Sequence, residues 1–282
     1  MVSIVITAYN VAAHIRQAVN SACLQSFKDI EIIVIEDCST DNTREELEKI
    51  KDCRVNIIYN KQNIGAGASR KKGIENSKGE YLLLLDGDDW LEEDFVESLY
   101  NRAKECDADI VSGGITIVDS DGTKEQYLYG ECITQGDEKI TSFWGERIVF
   151  MNNKLIHRRL HLAVPYCLRR FIEDTPVIIP QLYLANKVAY INNAGYNYRM
   201  RSESLTHKAS PLEYALFRAL CIEDIIKFFE HNDKRILDIM PFAQTYSNCI
   251  AEIKMCKPDK EAIKPYNDEW IEFTTKLIDR LV

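Results

Sequence analysis

The chain has 282 residues, room for one large or two modest domains around a buried core. Asp and Glu outnumber Lys and Arg by 44 to 35, for a formal net charge of −9; this argues against nucleic acid or an anionic membrane as the main partner, since both require a basic face. With 46% apolar and 28% charged residues, the composition is globular rather than disordered. The longest uncharged apolar-leaning run, Thr175 to Asn186, is broken by Pro176 and Pro180 and is too short to cross a bilayer, so no integral membrane segment is expected. The first apolar stretch, Val2 to Ala8, is a strand's length and not the core of a leader. Nine cysteines without a Cys-x-x-Cys pair point away from a disulfide framework or a cysteine zinc site, and toward reduced thiols in a soluble cytoplasmic protein.

The first third alternates β-rich runs with helical patterns. Val2 to Thr7 reads as a strand rich in β-branched residues, and Asn10 is expected to cap a helix carrying Ile15, Ala18, Val19 and Ala22. Ile30 to Ile35 is a second strand ending in Glu36-Asp37, with a helix capped from Ser39 to Thr43 running to Ile50. Val55 to Tyr59 is a third strand, Gly65-Ala66-Gly67-Ala68 opens a helix to Asn76, and Tyr81 to Leu85 is a fourth strand. Strand–helix repetition implies right-handed crossovers and a parallel sheet with helices on both faces, and such sheets bind ligands beyond the carboxyl ends of their strands. Further on, a helix is expected over Glu92 to Glu105, a strand over Ile110 to Gly114, and a hairpin at Asp119-Ser120-Asp121-Gly122. Residues 130–172 show no clear pattern. From Pro211 an apolar stripe (Leu212, Leu216, Leu220, Ile225, Phe228, Phe229) marks helices punctuated by Pro241 and Pro258. The expected organisation is an α/β domain over 1–210 and a helical segment over 211–282.

Asp86-Gly87-Asp88 is the sharpest site signal: an apolar strand delivers two carboxylates into the ligand crevice, and a hard divalent cation is a natural counter-charge. The same residues also read as a turn, with Asp89 capping the next helix. Asp37, at the end of the second strand, can accept from a nucleobase N–H or a ribose hydroxyl, while Ser39 and Asp41 read as helix caps. Gly65-x-Gly67-x-x-Arg70 is an imperfect dinucleotide fingerprint in the wrong place; Arg70 is expected at a base or phosphate, or else in solvent. Glu173-Asp174 offers a general base, although Asp174-Thr175-Pro176 also reads as a helix start. Arg199 and Arg201 can grip phosphate, and His207 can ligate a metal, against the alternative of an ordinary surface loop.

Taken together, the order Val2 to Asn10, Glu31 to Thr43, Asn63-Ile64-Gly65, Arg70, Gly79-Glu80-Tyr81, Asp86-Gly87-Asp88-Asp89-Trp90, Asn153-Lys154-Leu155, Glu173-Asp174 and Arg199 to Thr206 resembles the family 2 glycosyltransferases with the GT-A fold, of bacterial cell-surface polysaccharide type. The resemblance covers about residues 1–207. It implies that Thr7, Tyr9 and Asp37 hold the base and ribose of a nucleoside diphosphate sugar, usually UDP. Asp86 would sit near ribose and metal, Asp88 would ligate Mn²⁺ or Mg²⁺ against the diphosphate, and Asp174 would deprotonate an acceptor hydroxyl for inverting attack, with Glu173 beside it. His207 would be a further metal-ligand candidate. The acceptor class implied is a saccharide or lipid-linked saccharide, met at the cytoplasmic side with peripheral membrane association. Two departures stand out: Lys71 follows Arg70 where many relatives carry Asn, and Pro176 and Pro180 are expected to interrupt the helix after Asp174 and leave the base on a loop.

Competing classes are weaker. A sugar nucleotidyltransferase would carry a basic Gly-rich loop after the first strand, and a nicotinamide dehydrogenase would carry glycines there; the turn after Ile6 has neither. An inactive nucleotide-sugar-binding scaffold is disfavoured by the presence of both Asp88 and Asp174.

Overall fold

The computed structural model describes residues 1–144, 150–166, 173–201 and 210–256. The chain divides into two compact units, Met1–Ser202 and Glu203–Val282.

The first unit opens with β1 (Val2–Ala8), α1 (Ile15–Cys23), β2 (Ile30–Glu36), α2 (Thr43–Glu48), β3 (Val55–Tyr59), α3 (Ala66–Glu75) and β4 (Tyr81–Asp86). It continues through β5 (Trp90–Leu91), α4 (Phe95–Cys106), β6 (Ile110–Ser112), β7 (Ile115–Val118), β8 (Lys124–Tyr127) and β9 (Ile133–Gln135). The remaining elements are α5 (Glu138–Trp144), β10 (Lys154–His157), α6 (Arg158–Ala163), α7 (Thr175–Leu184), β11 (Lys187–Tyr190) and β12 (Tyr196–Arg199). An eight-stranded, mostly parallel sheet runs β3-β2-β1-β4-β10-β6-β11-β9, and a four-stranded sheet runs β5-β12-β7-β8. The block β3-β2-β1-β4 is wholly parallel. β10 is antiparallel to both of its neighbours, so the sheet reverses direction beside β4.

Strands β1, β2 and β4 are buried almost throughout, as strands covered on both faces should be, and Ile4, Ile6, Val34, Leu83 and Leu85 join one core cluster with Ile15 and Val19 of α1. On the opposite face α3 comes so close that a Cβ at Gly73 would lie 2.2 Å from Val5 Cγ1. Parallel register sets Thr7 beside both Ile35 and Asp86, which brings the polar ends of three strands to one edge.

Several expectations change. Asn10 does not cap α1: it takes φ 52°, and α1 starts after His14. Asn10 Oδ1 instead accepts the Thr40 N–H at 2.8 Å, and its own N–H donates to Ser39 Oγ at 3.1 Å, tying the β1 and β2 loops together. The expected 110–114 strand ends at Ser112. A Cβ at Gly113 would lie 2.4 Å from Phe95 Cε2 and one at Gly114 2.5 Å from the Tyr127 carbonyl, and this close passage carries the chain from one sheet to the other. The helix after Asp174 is not interrupted: α7 holds Pro176 in its first turn, where its missing N–H costs nothing, and runs on through Pro180. The Asp119–Gly122 hairpin forms as expected, joining β7 to β8.

In the second unit, α8 (Pro211–Asn232), α9 (Arg235–Ile239) and α10 (Phe242–Met255) follow one another. Ser210 and Glu213 form a reciprocal capping box at the start of α8. Leu216, Leu220, Ile225 and Phe229 are buried, and Phe229 stacks on Phe242 with ring centroids 5.8 Å apart. Leu212 and Phe228 of the expected stripe lie only partly buried, and Pro258 is outside the described residues. Among the described residues, no helix is long and apolar enough to cross a membrane.

Candidate active site

The turn after β4 is built by close approach. Gly87 N–H donates to the Thr7 carbonyl at 2.9 Å, and a Cβ there would sit 2.8 Å from that oxygen and 3.1 Å from Val11 Cγ2. Only glycine fits between the end of β1 and the start of α1, and the acidic residues on either side are held accordingly. Thr7 Oγ1 donates to Asp86 Oδ1 at 3.3 Å. Asp88 pairs through Oδ2 with the Arg201 guanidinium. Asp89 is 1% exposed and does not cap a helix: Oδ2 accepts the Tyr196 hydroxyl at 2.6 Å and Oδ1 the Arg199 N–H at 2.9 Å, lacing the turn to β12. The Arg199 side chain braces the same turn, donating to the Asp88 carbonyl at 2.9 Å and to Gln17 Oε1 at 2.7 Å, with its guanidinium 4.5 Å over the Trp90 ring.

Arg70 is the hub. Sequence reasoning placed it at a base or phosphate, whereas the structure buries it among carboxylates. Nη1 donates to Glu173 Oε1 at 2.8 Å and to Asp174 Oδ1 at 2.7 Å, and Nη2 donates to Asp86 Oδ1 at 3.0 Å. Residues more than a hundred positions apart thereby meet on one guanidinium. From the other side, Met151 N–H donates to Asp174 Oδ2 at 3.2 Å, and Asn152 Nδ2 donates to Asp86 Oδ2 at 2.7 Å and to the Tyr196 hydroxyl at 3.2 Å.

Burial and neighbouring carboxylates both weigh against the ionised forms of the acidic residues here. Burial, and then the neighbouring Asp174, push Glu173 up to about 7 against the opposing pull of Arg70. Burial also raises Asp174, with Arg70 and the Met151 N–H opposing and Asp86 adding to the rise. Asp88 is raised by burial and by the like charge of Asp86, and Asp89 is raised further by burial and by both neighbours. Burial and like charge thus hold these carboxylates above their ordinary range, a situation that a bound cation relieves.

Asp37 has a structural task that sequence reasoning did not foresee. Its Oδ1 accepts from Asn60 Nδ2 at 2.8 Å and from the Ile64 N–H at 2.9 Å, and its Oδ2 accepts from the Gly65 N–H at 2.8 Å. It therefore holds the β3–α3 loop, at the point where Gly65 takes φ 87° to start α3. A carboxylate has about four acceptor sites, so a ligand N–H would be its last partner. The caps expected of Ser39 and Asp41 do not form: Asn42 stands at the start of α2 and its side chain makes no cap hydrogen bond, while Asp41 Oδ1 accepts the Thr43 N–H at 3.0 Å within the preceding turn and Ser39 Oγ accepts the Asn10 N–H. Tyr9 is 45% exposed at the strand edge. His207 lies outside the described residues.

Sequence reasoning also missed Asn152, Tyr196 and the clamping role of Asp89. The polar run Asn152-Asn153-Lys154 at the mouth of an otherwise apolar strand was the available signal, but it lies in a stretch whose elements could not be assigned.

Residues 3–202 match the family model described as glycosyl transferase family 2. The chain belongs to that family. Among curated family relatives, it is 30% identical over 254 residues to the glycosyltransferase GlyG of Streptococcus pneumoniae, covering 84% of this chain and 80% of GlyG. It is 29% identical over 220 residues to GlyA of the same organism, covering 73% of this chain but only 31% of GlyA. Among solved structures, S. aureus TarS 1-349 in complex with UDP-GlcNAc superposes with a TM-score of 0.69 at 18% identity, covering 91% of this chain and 81% of that one. At that identity the likeness establishes the fold, GT-A. The family 2 fold accounts for the strand-end placement of the acidic residues: this chain is a nucleotide-sugar glycosyltransferase.

Proposed function

We propose that the protein moves a sugar from a UDP-sugar to a hydroxyl of a saccharide or lipid-linked saccharide acceptor, with inversion at the anomeric carbon, in cell-surface polysaccharide or glycolipid synthesis. The observation that carries the reading is the meeting of Asp86 and Asp174 on the single guanidinium of Arg70. Donor-side and acceptor-side carboxylates are held at a fixed separation, as an in-line displacement requires.

Asp174 is the general base. Glu173 shares the same Nη1, and two neighbouring carboxylates do not both ionise easily. The Met151 N–H on Asp174 Oδ2 favours the ionised form of Asp174, against the burial that raises it. An ionised Asp174 accepts the acceptor's hydroxyl proton as the oxygen attacks. Proton transfer of this kind contributes about 10²–10⁴-fold. Thr7, Tyr9 and Asp37 line the strand ends for the nucleoside, with Asp37 using its remaining acceptor site. Arg201 serves the diphosphate: its Nε is buried with no partner among the described residues, so it has a donor left for a phosphate oxygen.

A divalent cation, Mn²⁺ or Mg²⁺, fits the donor set. Asp86 and Asp88 are hard oxygen ligands separated by one glycine, and burial, then the charge of Asp86, raises Asp88. Among the described residues no cluster of three or more His, Cys, Asp or Glu side chains converges for a metal. Asp88 and Asp86 are therefore the protein's described share, with His207 as a further candidate. When bound, the cation would neutralise charge growing on the leaving diphosphate. The reading puts the enzyme in the cytoplasm, with peripheral association at the inner membrane face, and with a GT-A domain over 1–210 followed by the helical segment.

The test is calorimetric titration of UDP, then GDP, with Mn²⁺ and with EDTA. Metal-dependent UDP binding that is lost in Asp88→Ala is expected. Preferential GDP binding changes the donor class, and no nucleotide binding under any condition sinks the transferase reading.

A further inference from the structure

Lys154 stands at the start of β10 and is 1% exposed. It pairs across the strand with Ser112 of β6, on the sheet face opposite to Leu155, which belongs to the core cluster. Nζ donates to the Phe150 carbonyl at 2.6 Å and to Asn153 Oδ1 at 2.7 Å, so the ammonium closes the short turn that precedes its own strand. Each residue of that turn holds something else. Met151 N–H reaches Asp174, Asn152 reaches Asp86 and Tyr196, and Asn153 Nδ2 reaches the Gly113 carbonyl at 2.6 Å. Burying an ammonium is expensive, and an aliphatic side chain of the same length would fill the space without desolvating a charge. Among the described residues, the amine serves the turn and the field at Asp174.

We propose that Lys154 is a positioning residue of the transfer reaction: by closing the Phe150–Asn153 turn and setting a positive charge on the Asp174 side, it holds the base and the donor-side Asp86 at their working separation. The inference rests on the reading of Asp174 as base. Among the described residues, the groups that face Asp174 are Arg70 from α3, Asp86 from β4, the adjoining Glu173, Tyr166 after α6, the Met151 N–H and Lys154 itself. Of these, Arg70 and Lys154 are the cations, and Arg70 is shared with two other carboxylates. Burial pushes the Lys154 amine down to about 7, with Asp174 opposing the fall, so the two groups support each other's charged forms.

The experiment compares wild type with Lys154→Met, Lys154→Gln and Lys154→Arg in the full chain. The Asp174 carboxyl is followed by ¹³C NMR titration of the free protein in EDTA, its signal identified by its loss in Asp174→Asn. In Lys154→Met the midpoint is expected to rise by about one pH unit, the size usual for an opposite charge at short range. The acid limb of the rate profile for UDP release from a UDP-sugar moves the same way. At neutral pH kcat falls on the order of tenfold with donor KM within about twofold, the pattern of a lost transition-state interaction. Lys154→Arg returns the midpoint toward wild type, and Lys154→Gln behaves like Lys154→Met in titration. An unchanged midpoint in a folded Met or Gln variant overturns the proposal, as does failure of both variants to fold, which would make Lys154 part of the scaffold. If wild type releases UDP from no UDP-sugar, the transferase reading fails on its own, while the titration of the free protein still judges Lys154.

Discussion

The two halves of the large sheet contribute unlike things to one site. The parallel block β3-β2-β1-β4 supplies side chains at strand ends: Thr7, Asp37, Asp86 and, in the turn beyond, Asp88. The half entered through antiparallel β10 supplies the means of holding them: the Met151 N–H, the Asn152 amide and the carboxylates just ahead of α7, joined by the Tyr196 hydroxyl from β12 of the smaller sheet. A parallel block places its ends by register alone, because each strand's end is fixed by its neighbour. The mixed half has no such rule, and its groups reach the site through irregular turns locked by hydrogen bonds. On the proposed reading, donor chemistry therefore rests on regular structure, and acceptor chemistry on side-chain packing.

That contrast can be tested from both sides. The largest effect is expected at the charged groups themselves. Asp174→Asn should lower the rate of UDP release about 10²–10⁴-fold while leaving UDP affinity near wild type, measured by steady-state kinetics beside calorimetry. Asp88→Ala should instead abolish metal-dependent UDP binding. If the two variants share one phenotype, the division into donor and acceptor halves is wrong.

Arg70→Met removes the link between the halves. Three carboxylates lose their shared counter-charge, and a loss of about 3–5 kcal/mol in urea unfolding is expected, the usual result of stranding buried charge. Gly87→Ala strikes the donor half through shape alone. Its Cβ would contact the Thr7 carbonyl at 2.8 Å, so about 1–3 kcal/mol of destabilisation with weakened UDP binding should appear in thermal melts and calorimetry.

Glu173 gives a pH signature. Its carboxyl is raised to about 7 in the folded chain, so between about 4.5 and 7 the native state binds more protons than the unfolded one. Stability should then fall as pH rises through this window. Glu173→Gln, which mimics the neutral form, should match wild type near pH 5 and exceed it by about 1–2 kcal/mol near pH 8. Equal stabilities at pH 8 would show that Arg70 compensates the charge fully. The smallest effect lies outside the sheet: Ser210→Ala breaks the capping box of α8 and should cost about 1 kcal/mol, without altering nucleotide binding.

The boundary between what could be read from the chain and what could not follows the same division. Val2 to Tyr81 is legible because β-branched runs alternate with helix-period segments over short connections, and observed strands agree with expected ones to within a residue or two. Asp37, Asp86 and Asp88 were legible as candidates for the same reason, since strand ends in a parallel block are also crevice positions, whereas Glu173 and Asp174 stood out chiefly through the order of motifs. The fate of Pro180 was not, because burial along α7 outweighs the lost hydrogen bond. Nor was the split at Gly113-Gly114, where the constraint is the Phe95 ring arriving from another element.

By itself the amino-acid sequence determined the α/β class, the parallel block, the acidic strand ends and the family, because local periodicity and motif order carry them. Only the tertiary structure decided that Arg70 faces carboxylates rather than solvent or phosphate, that Asp89 and Asp37 brace loops, and that Asn152 and Lys154 belong to the site. These depend on groups distant in sequence meeting at hydrogen-bond range in a buried space, where an unpaired charge is costly and each partner is chosen by what else is there.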